Sequence, residues 1–338
     1  MVMADTSDEG RDVARQVRRG DLRSGREHAD GRTVEPGRAV DLGSATGTRV
    51  GLLRACLVTA RPRQWSKNLL VFGAPITGGV LLEATSFVRA VSAFVAFCLV
   101  ASGIYYVNDL IDRDMDRAHP VKRRRPVAAG HLPVGLAAGL AALLLVGGLL
   151  LAALGAGPRL AGVVGMYIAL SLAYIFVLRS MVLVDIATVA GGFVLRAVAG
   201  GVAVDVPLSS WFLIVACFGA LFIAAGKRHS EHTSLGAGRG EHRRTLDEYS
   251  DQFLRYIVGS SSTVTIAAYC LWAFEGEAGR SLQSGLSIVP FVLGVYRYVM
   301  LLEGGGGGTP EELVLRDRSL LVFGVAWVLL VGWGVYLR

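Results

Sequence analysis

Nine apolar blocks, separated by short polar loops, constrain this chain more than any other feature. They run over 68–82, 88–110, 133–154, 160–178, 181–202, 208–226, 256–274, 286–302 and 317–336. A helix needs about 20 apolar residues to cross the hydrocarbon of a bilayer, and the blocks meet or approach that length. The pattern predicts an all-α integral membrane protein with nine transmembrane helices. The first block is short and interrupted by Pro75, so a broken or tilted span is expected there. Composition agrees: of 338 residues, 53% are hydrophobic and 18% are charged, against roughly a quarter charged in soluble domains.

The first stretch reads differently. Up to Arg49 it carries nine Arg and nine acidic residues. A polyampholyte of this kind buries too little apolar area to offset its ordering entropy. A disordered tail is expected over 1–48, followed by one membrane domain over 49–338. The tail has no apolar h-region, so it is not read as a secretory signal peptide. Cys56, Cys98, Cys217 and Cys270 show no CxxC or Cys/His ligand spacing, so neither a disulfide framework nor a zinc site is expected.

The loops set orientation. Loop 113–132 carries Arg113, Arg117, Lys122, Arg123, Arg124 and Arg125, and loop 227–255 carries Lys227, Arg228, Arg239, Arg243, Arg244 and Arg255. Loop 303–316, with its flexible Gly304–Gly308 run, and the turn at Arg179 fall on the same side if nine helices alternate. The opposite loops hold little beyond Arg159 and Arg280. The positive-inside rule then puts the N-terminus and both long loops in the cytoplasm and the C-terminus outside. The net charge of +7 resides in these loops. It reads as topology signal and anion binding, with no nucleic-acid partner.

Five constellations bear chemistry. The first is Asn108-Asp109-Leu110-Ile111-Asp112-Arg113-Asp114-Met115-Asp116. If the second membrane helix continues through it, Asp109, Asp112 and Asp116 share one face. Converging carboxylates suit Mg²⁺, which takes carboxylate oxygens and keeps sites for phosphate. The bland reading is a solvated acidic helix end. The second, Arg117 to Gly130, includes His119-Pro120 and the cations Lys122 to Arg125. It suits an anionic substrate, or fixes topology and touches anionic headgroups. The third, Arg61-Pro62-Arg63-Gln64-Trp65-Ser66-Lys67-Asn68, offers Trp65 as interfacial anchor. Its Lys67 and Asn68 read either as phosphate contacts or as snorkelling anchors. The fourth, Gly226-Lys227-Arg228-His229-Ser230-Glu231 with Tyr249 further on, offers Lys227 and Arg228 to phosphate. The fifth is Asp185 and Arg196 on the fifth span. A membrane-embedded Arg needs a polar interior or a partner, so Arg196 faces substrate or forms a structural ion pair.

These segments resemble the UbiA superfamily of membrane prenyltransferases over nearly everything after Thr59. Asn108, Asp109, Asp112 and Asp116 fit the family pattern NDxxDxxxD, and His119-Pro120, Lys122, Arg125-Pro126 and Gly130 fit its continuation in the family. The resemblance implies a nine-helix UbiA-like bundle and Mg²⁺ held by Asp109 and Asp112, with Asp116 a third catalytic carboxylate. It also favours Lys122 and Arg125 as substrate contacts beside Lys67, Asn108, Arg196, Lys227, Arg228 and Tyr249. The chain departs from the family where a second DxxxD is usual: Lys227-Arg228-His229-Ser230-Glu231 stands there. That departure, with the 61–68 opening, looks like the branch that moves 5-phosphoribose from phosphoribosyl diphosphate to decaprenyl phosphate, a polyprenyl phosphate. The resemblance implies a multi-pass phosphoribosyltransferase of the plasma membrane, its active site on the cytoplasmic face. Its product would feed cell-wall arabinogalactan. Homo-oligomerisation is left open. Two competing readings remain: a prenyltransferase with a polyprenyl diphosphate donor and a small or aromatic acceptor, and a transporter of anions or lipid phosphates.

Overall fold

The structure, a computed structural model, describes residues 42–235, 248–275, 282–304, 313 and 316–337. Residues 1–41, most of the expected tail, lie outside the described residues, as do most of the glycine run and residues 236–247 of the second cationic loop, with Arg239, Arg243 and Arg244. Residues Thr46–Arg338 form one unit by their contacts.

The described residues are helical throughout, with no strand. The main elements are α1 (Leu42–Ala60), α2 (Gly73–Thr77), α3 (Ala84–Ile111), α4 (Arg113–Ala118), α5 (Val134–Ala156) and α6 (Pro158–Phe176), followed by α7 (Val184–Ala203), α8 (Ser210–Leu235), α9 (Asp251–Phe274), α10 (Leu282–Glu303) and α11 (Arg318–Tyr336). Eight of them, α3 and α5 to α11, are long and apolar enough to cross a membrane. Their bounds match the last eight apolar blocks closely. Chain neighbours pack as antiparallel pairs, among them α3 with α5, α8 with α9 and α10 with α11.

The first block differs. Pro62–Phe72 forms a 3₁₀ helix and continues into the five-residue α2. At about 2.0 Å per 3₁₀ residue and about 1.5 Å per α residue, this composite reaches about 30 Å, enough to cross hydrocarbon. Its contacts trace that path. Arg61 pairs with Asp109 at one end of the bundle, and at the other Tyr336 Oη lies 3.4 Å from the Pro75 carbonyl and accepts from Leu81 N at 3.3 Å. The first block therefore runs between the two ends of the bundle as a 3₁₀ stretch and a short α-helix, and is not among the eight described helices that are long and apolar enough to cross a membrane. Non-α backbone at this depth survives only when protein or a cavity surrounds it. Asn68 and Val71 are fully buried, and Lys67 lines two cavities. The composite also lies against α7 so closely that a Cβ on Gly200 would overlap the Val71 carbonyl.

The core at the opposite half of the bundle packs Phe97 and Val100 of α3 against Leu160 and Val164 of α6 and Ala199 of α7. A second cluster sets Ala55 of α1 under Tyr106, Val127 and Leu132. It braces α1 and the 119–133 loop against the end of α3 that carries the acidic stretch.

Candidate active site

The acidic stretch straddles the end of α3. The helix stops at Ile111, turns at Asp112 (φ −83°, ψ 3°) and resumes as α4. The hydrogen bonds Asp112 N to Asn108 O (2.9 Å) and Asp116 N to Asp112 O (2.8 Å) keep the helical path across the turn. Asp109 and Asp116 are buried on one side. Arg125 joins them, its Nη1 2.7 Å from Asp116 Oδ2 and 3.4 Å from Asp109 Oδ1. Arg61 pairs with the same Asp109 oxygen and stacks over the Tyr105 ring at 4.6 Å. Asp112 faces elsewhere: Arg179 donates to both its oxygens, at 2.9 and 3.1 Å.

Among the described residues, no three acidic, His or Cys side chains stand close enough to share a metal ion. The donor chemistry of Asp109 and Asp112 is nevertheless that of a hard divalent cation, which binds carboxylate oxygens. Guanidiniums hold both Asp112 oxygens and Asp109 Oδ1, so an ion that takes those oxygens must exchange with them.

Beside this rim lies a polar cavity of about 290 Å³. Arg61, Lys67, Asn108, Lys227, Arg228 and Arg196 contribute to its wall, together with Tyr105, Tyr167 and Tyr174. Arg196 is the deepest cation. Its Nε donates to Asn68 Oδ1 (2.7 Å), Nη1 to the Gly192 carbonyl (2.7 Å) and Nη2 to Tyr167 Oη (2.8 Å). Among the described residues no carboxylate pairs with it, so its charge stays available to an anion in the cavity. The alternative ion pair with Asp185 does not form. Asp185 is completely buried and takes Arg228 Nε at 2.8 Å and Tyr249 Oη at 2.6 Å.

Lys227 lines the cavity and lies 3.8 Å from Glu231. Arg228 lines it too, but is 3% exposed and tied to Asp185, Glu231 and Tyr174. Tyr249 sits one layer behind. It accepts from Leu183 N at 2.6 Å and fixes that residue in a left-handed conformation, φ 67°. Burial first, then the hydrogen bond to Asp185, holds the Tyr249 hydroxyl above the ordinary tyrosine range. Lys122 lines a separate hollow of about 330 Å³ with Arg61, Asp109 and Arg125.

A second, apolar groove of about 690 Å³ adjoins the polar cavity. Leu69, Leu70, Val215, Phe222, Phe291 and Val328 are among its lining residues, from the 3₁₀ stretch, α8, α10 and α11. Lys67 and Phe193 line both spaces. Sequence reasoning did not select Arg61, Arg179 or the three cavity tyrosines. Arg61 carried a signal, since it opens the 61–68 segment. Arg179 had only its lone positive charge in a turn between two apolar blocks.

Comparison with known proteins places this architecture. The profile of the UbiA prenyltransferase family matches residues 72–306. A decaprenyl-phosphate phosphoribosyltransferase of Mycolicibacterium smegmatis is 40% identical over 303 residues, covering 86% of this chain and 95% of the relative. A second, from Corynebacterium glutamicum, is 43% identical over 288 residues, covering 82% and 85%. The solved structure of a UbiA homolog from Archaeoglobus fulgidus bound to GPP and Mg²⁺ superposes with a TM-score of 0.62 at 17% identity, over 83% of this chain and 98% of that one. The chain therefore belongs to the UbiA prenyltransferase family, on the branch of those two bacterial relatives.

Proposed function

We propose that this membrane enzyme transfers 5-phosphoribose from phosphoribosyl diphosphate to a polyprenyl phosphate, with decaprenyl phosphate as the acceptor its relatives' names indicate. One observation carries the reading: a cation-lined polar cavity meets an apolar groove at Lys67 and Phe193. A lipid phosphate has that shape, with a chain for the groove and an anionic head for the cations. The cavity beside it offers Lys227, Arg228 and Arg196 to a water-soluble, multiply phosphorylated donor. A polyprenyl diphosphate donor would ordinarily call for a second carboxylate pair near residues 227–231, where two cations stand.

In the reaction an oxygen of the lipid phosphate bonds to ribose C1 as the bond from C1 to the diphosphate oxygen breaks. Diphosphate leaves with the electron pair. The acceptor oxygen is ionised at neutral pH, so no general base is needed. Positioning and charge stabilisation suffice. Asp109 and Asp112 would hold Mg²⁺, with Asp116 as a further ligand or ribose contact. A cation held there would supply charge to neutralise the diphosphate as it leaves. Arg196 and Lys227 offer charge to the remaining phosphates, and Arg228 lends a guanidinium kept rigid by Asp185. The cationic loops flank the same end of the bundle as the acidic stretch, which supports a cytoplasmic active site and N-terminus in the cell membrane.

The test is direct. Purified protein receives Mg²⁺ and labelled phosphoribosyl diphosphate, with or without decaprenyl phosphate. Diphosphate release and a lipid-linked phosphoribose should appear only with the lipid phosphate. No such product would sink the reading. Activity with a polyprenyl diphosphate and an aromatic acceptor instead would favour the prenyltransferase.

A further inference from the structure

The acidic stretch carries its own counter-ions. Asp109, Asp112 and Asp116 face Arg61, Arg125 and Arg179, each carboxylate within 2.9 Å of at least one guanidinium. Three negative charges meet three positive ones. Arg179 is the distant partner: it lies 67 positions from Asp112, in the turn between α6 and α7, and takes both carboxylate oxygens with one nitrogen. Arg61 reaches Asp109 from a left-handed backbone conformation, φ 51°, one that non-glycine residues adopt only when surroundings enforce it.

This balance constrains how a divalent cation binds. An ion arriving alone at Asp112 must take its oxygens from a guanidinium that is only 30% exposed. It would leave that charge without a partner at a partly desolvated site, which is costly. Diphosphate removes the obstacle, because its oxygens match the guanidinium fork. With both present, each arginine exchanges a carboxylate oxygen for a phosphate oxygen, and no charge is stranded.

We infer that Arg179 and a divalent cation compete for Asp112, so that the cation and the diphosphate bind as a linked pair. Arg179 is then a positioning residue of the reaction. It fixes Asp112 until the cation arrives, and turns to the diphosphate as the cation takes its place. Arg61 and Arg125 act alike at Asp109. The inference rests on the proposed function only for the identity of the donor.

The experiment uses the full chain in detergent with Mn²⁺ as probe. Free Mn²⁺ is read by electron paramagnetic resonance, with and without inorganic diphosphate. In wild type, diphosphate should tighten Mn²⁺ binding about tenfold or more, and by linkage Mn²⁺ should tighten diphosphate by the same factor. Arg179→Gln should bind Mn²⁺ alone several-fold more tightly than wild type and lose most of the diphosphate effect. Arg179→Lys should restore part of it. Arg61→Gln provides the same readout independently, should Arg179→Gln fail to fold. Tight Mn²⁺ binding to wild type without diphosphate overturns the inference. So does a glutamine variant whose affinity for Mn²⁺ alone is unchanged or weaker, the result expected of a merely structural arginine. Neither lipid nor phosphoribosyl diphosphate is present. Failure here therefore leaves the proposed reaction standing, and a missing lipid-linked product in the turnover assay leaves the linkage standing.

Discussion

At the scale of single residues, the acidic stretch and the cations around it make opposite predictions. Asp109→Asn and Asp112→Asn should each lower turnover at least about a hundredfold, or about 2.7 kcal/mol of transition-state stabilisation, while the protein still elutes as a folded species in detergent. Wild-type rates from either variant would remove the carboxylates from the mechanism. Tyr249 tests support instead of chemistry. Its hydroxyl serves Asp185 and Leu183 N at once. Tyr249→Phe takes a hydrogen-bond donor from the fully buried Asp185 carboxylate, a loss of about 1–3 kcal/mol, so the melting temperature should fall by several degrees. The pH dependence comes from the raised hydroxyl. The unfolded chain releases this proton near the ordinary tyrosine pKa of about 10, and the folded chain above it. The stability from protonated Tyr249 is whole below about pH 10 and drains away as pH climbs towards the folded value. Tyr249→Phe should show a shallower alkaline loss than wild type. Asn108 to Asp116 was legible in the sequence because the residues sit side by side and their chemistry is unusual next to an apolar block. Arg179 was not, because its meaning lies in a carboxylate 67 positions away. Asp185 was legible as a buried charge, but its partner was not: Arg196, on the same helix, competes as a candidate with Arg228 on the next.

At the scale of elements, the spans themselves were plain in the sequence, since apolar length alone dictates a membrane helix. The first block shows what length does not reveal. Pro75 signalled an interruption, but a 3₁₀ helix over Pro62–Phe72 depends on tertiary surroundings: α7 behind it, cavities in front. Isolated 3₁₀ helices of that length are uncommon, so the packing must impose this one. Gly200 is the contact that allows it. Gly200→Ala would set a methyl group on the Val71 carbonyl, with both backbones already buried. Overpacking of this kind costs typically about 1–3 kcal/mol, occasionally more. The melting temperature should drop by several degrees, and turnover should fall with it, since displacing the stretch also displaces Lys67. Gly162→Ala on α6, where a Cβ meets nothing within 4 Å, is the control and should be neutral or slightly stabilising. Equal behaviour of the two variants would show that the close approach does not matter.

At the scale of the whole molecule, the charge and the apolar surface are segregated, and the acceptor must satisfy both. Its chain comes from the bilayer, which is as apolar as the groove. No hydrophobic driving force therefore draws it in, and the groove can select only by shape. Gly219 is the place to test this. It lies on α8 in the wall of the groove, eight residues and about 12 Å before Lys227. A Cβ there would meet only Thr265 Cγ2 at 3.7 Å, an ordinary contact. Gly219→Ala should therefore behave as wild type, and Gly219→Trp should fold while filling the groove. For a long polyprenyl phosphate, Gly219→Trp should raise KM at least about tenfold, or about 1.4 kcal/mol. KM for the soluble donor should stay unchanged, because the indole would lie far from the polar cavity. A lipid phosphate whose chain is shorter than about 12 Å should be spared, since it ends before the obstruction. Steady-state kinetics with donor and acceptor varied in turn separates these outcomes. An equal effect on short and long acceptors would place the chain elsewhere on the bundle. A shift in donor KM alone would mean that the groove communicates with the cavity by strain and not by occupancy.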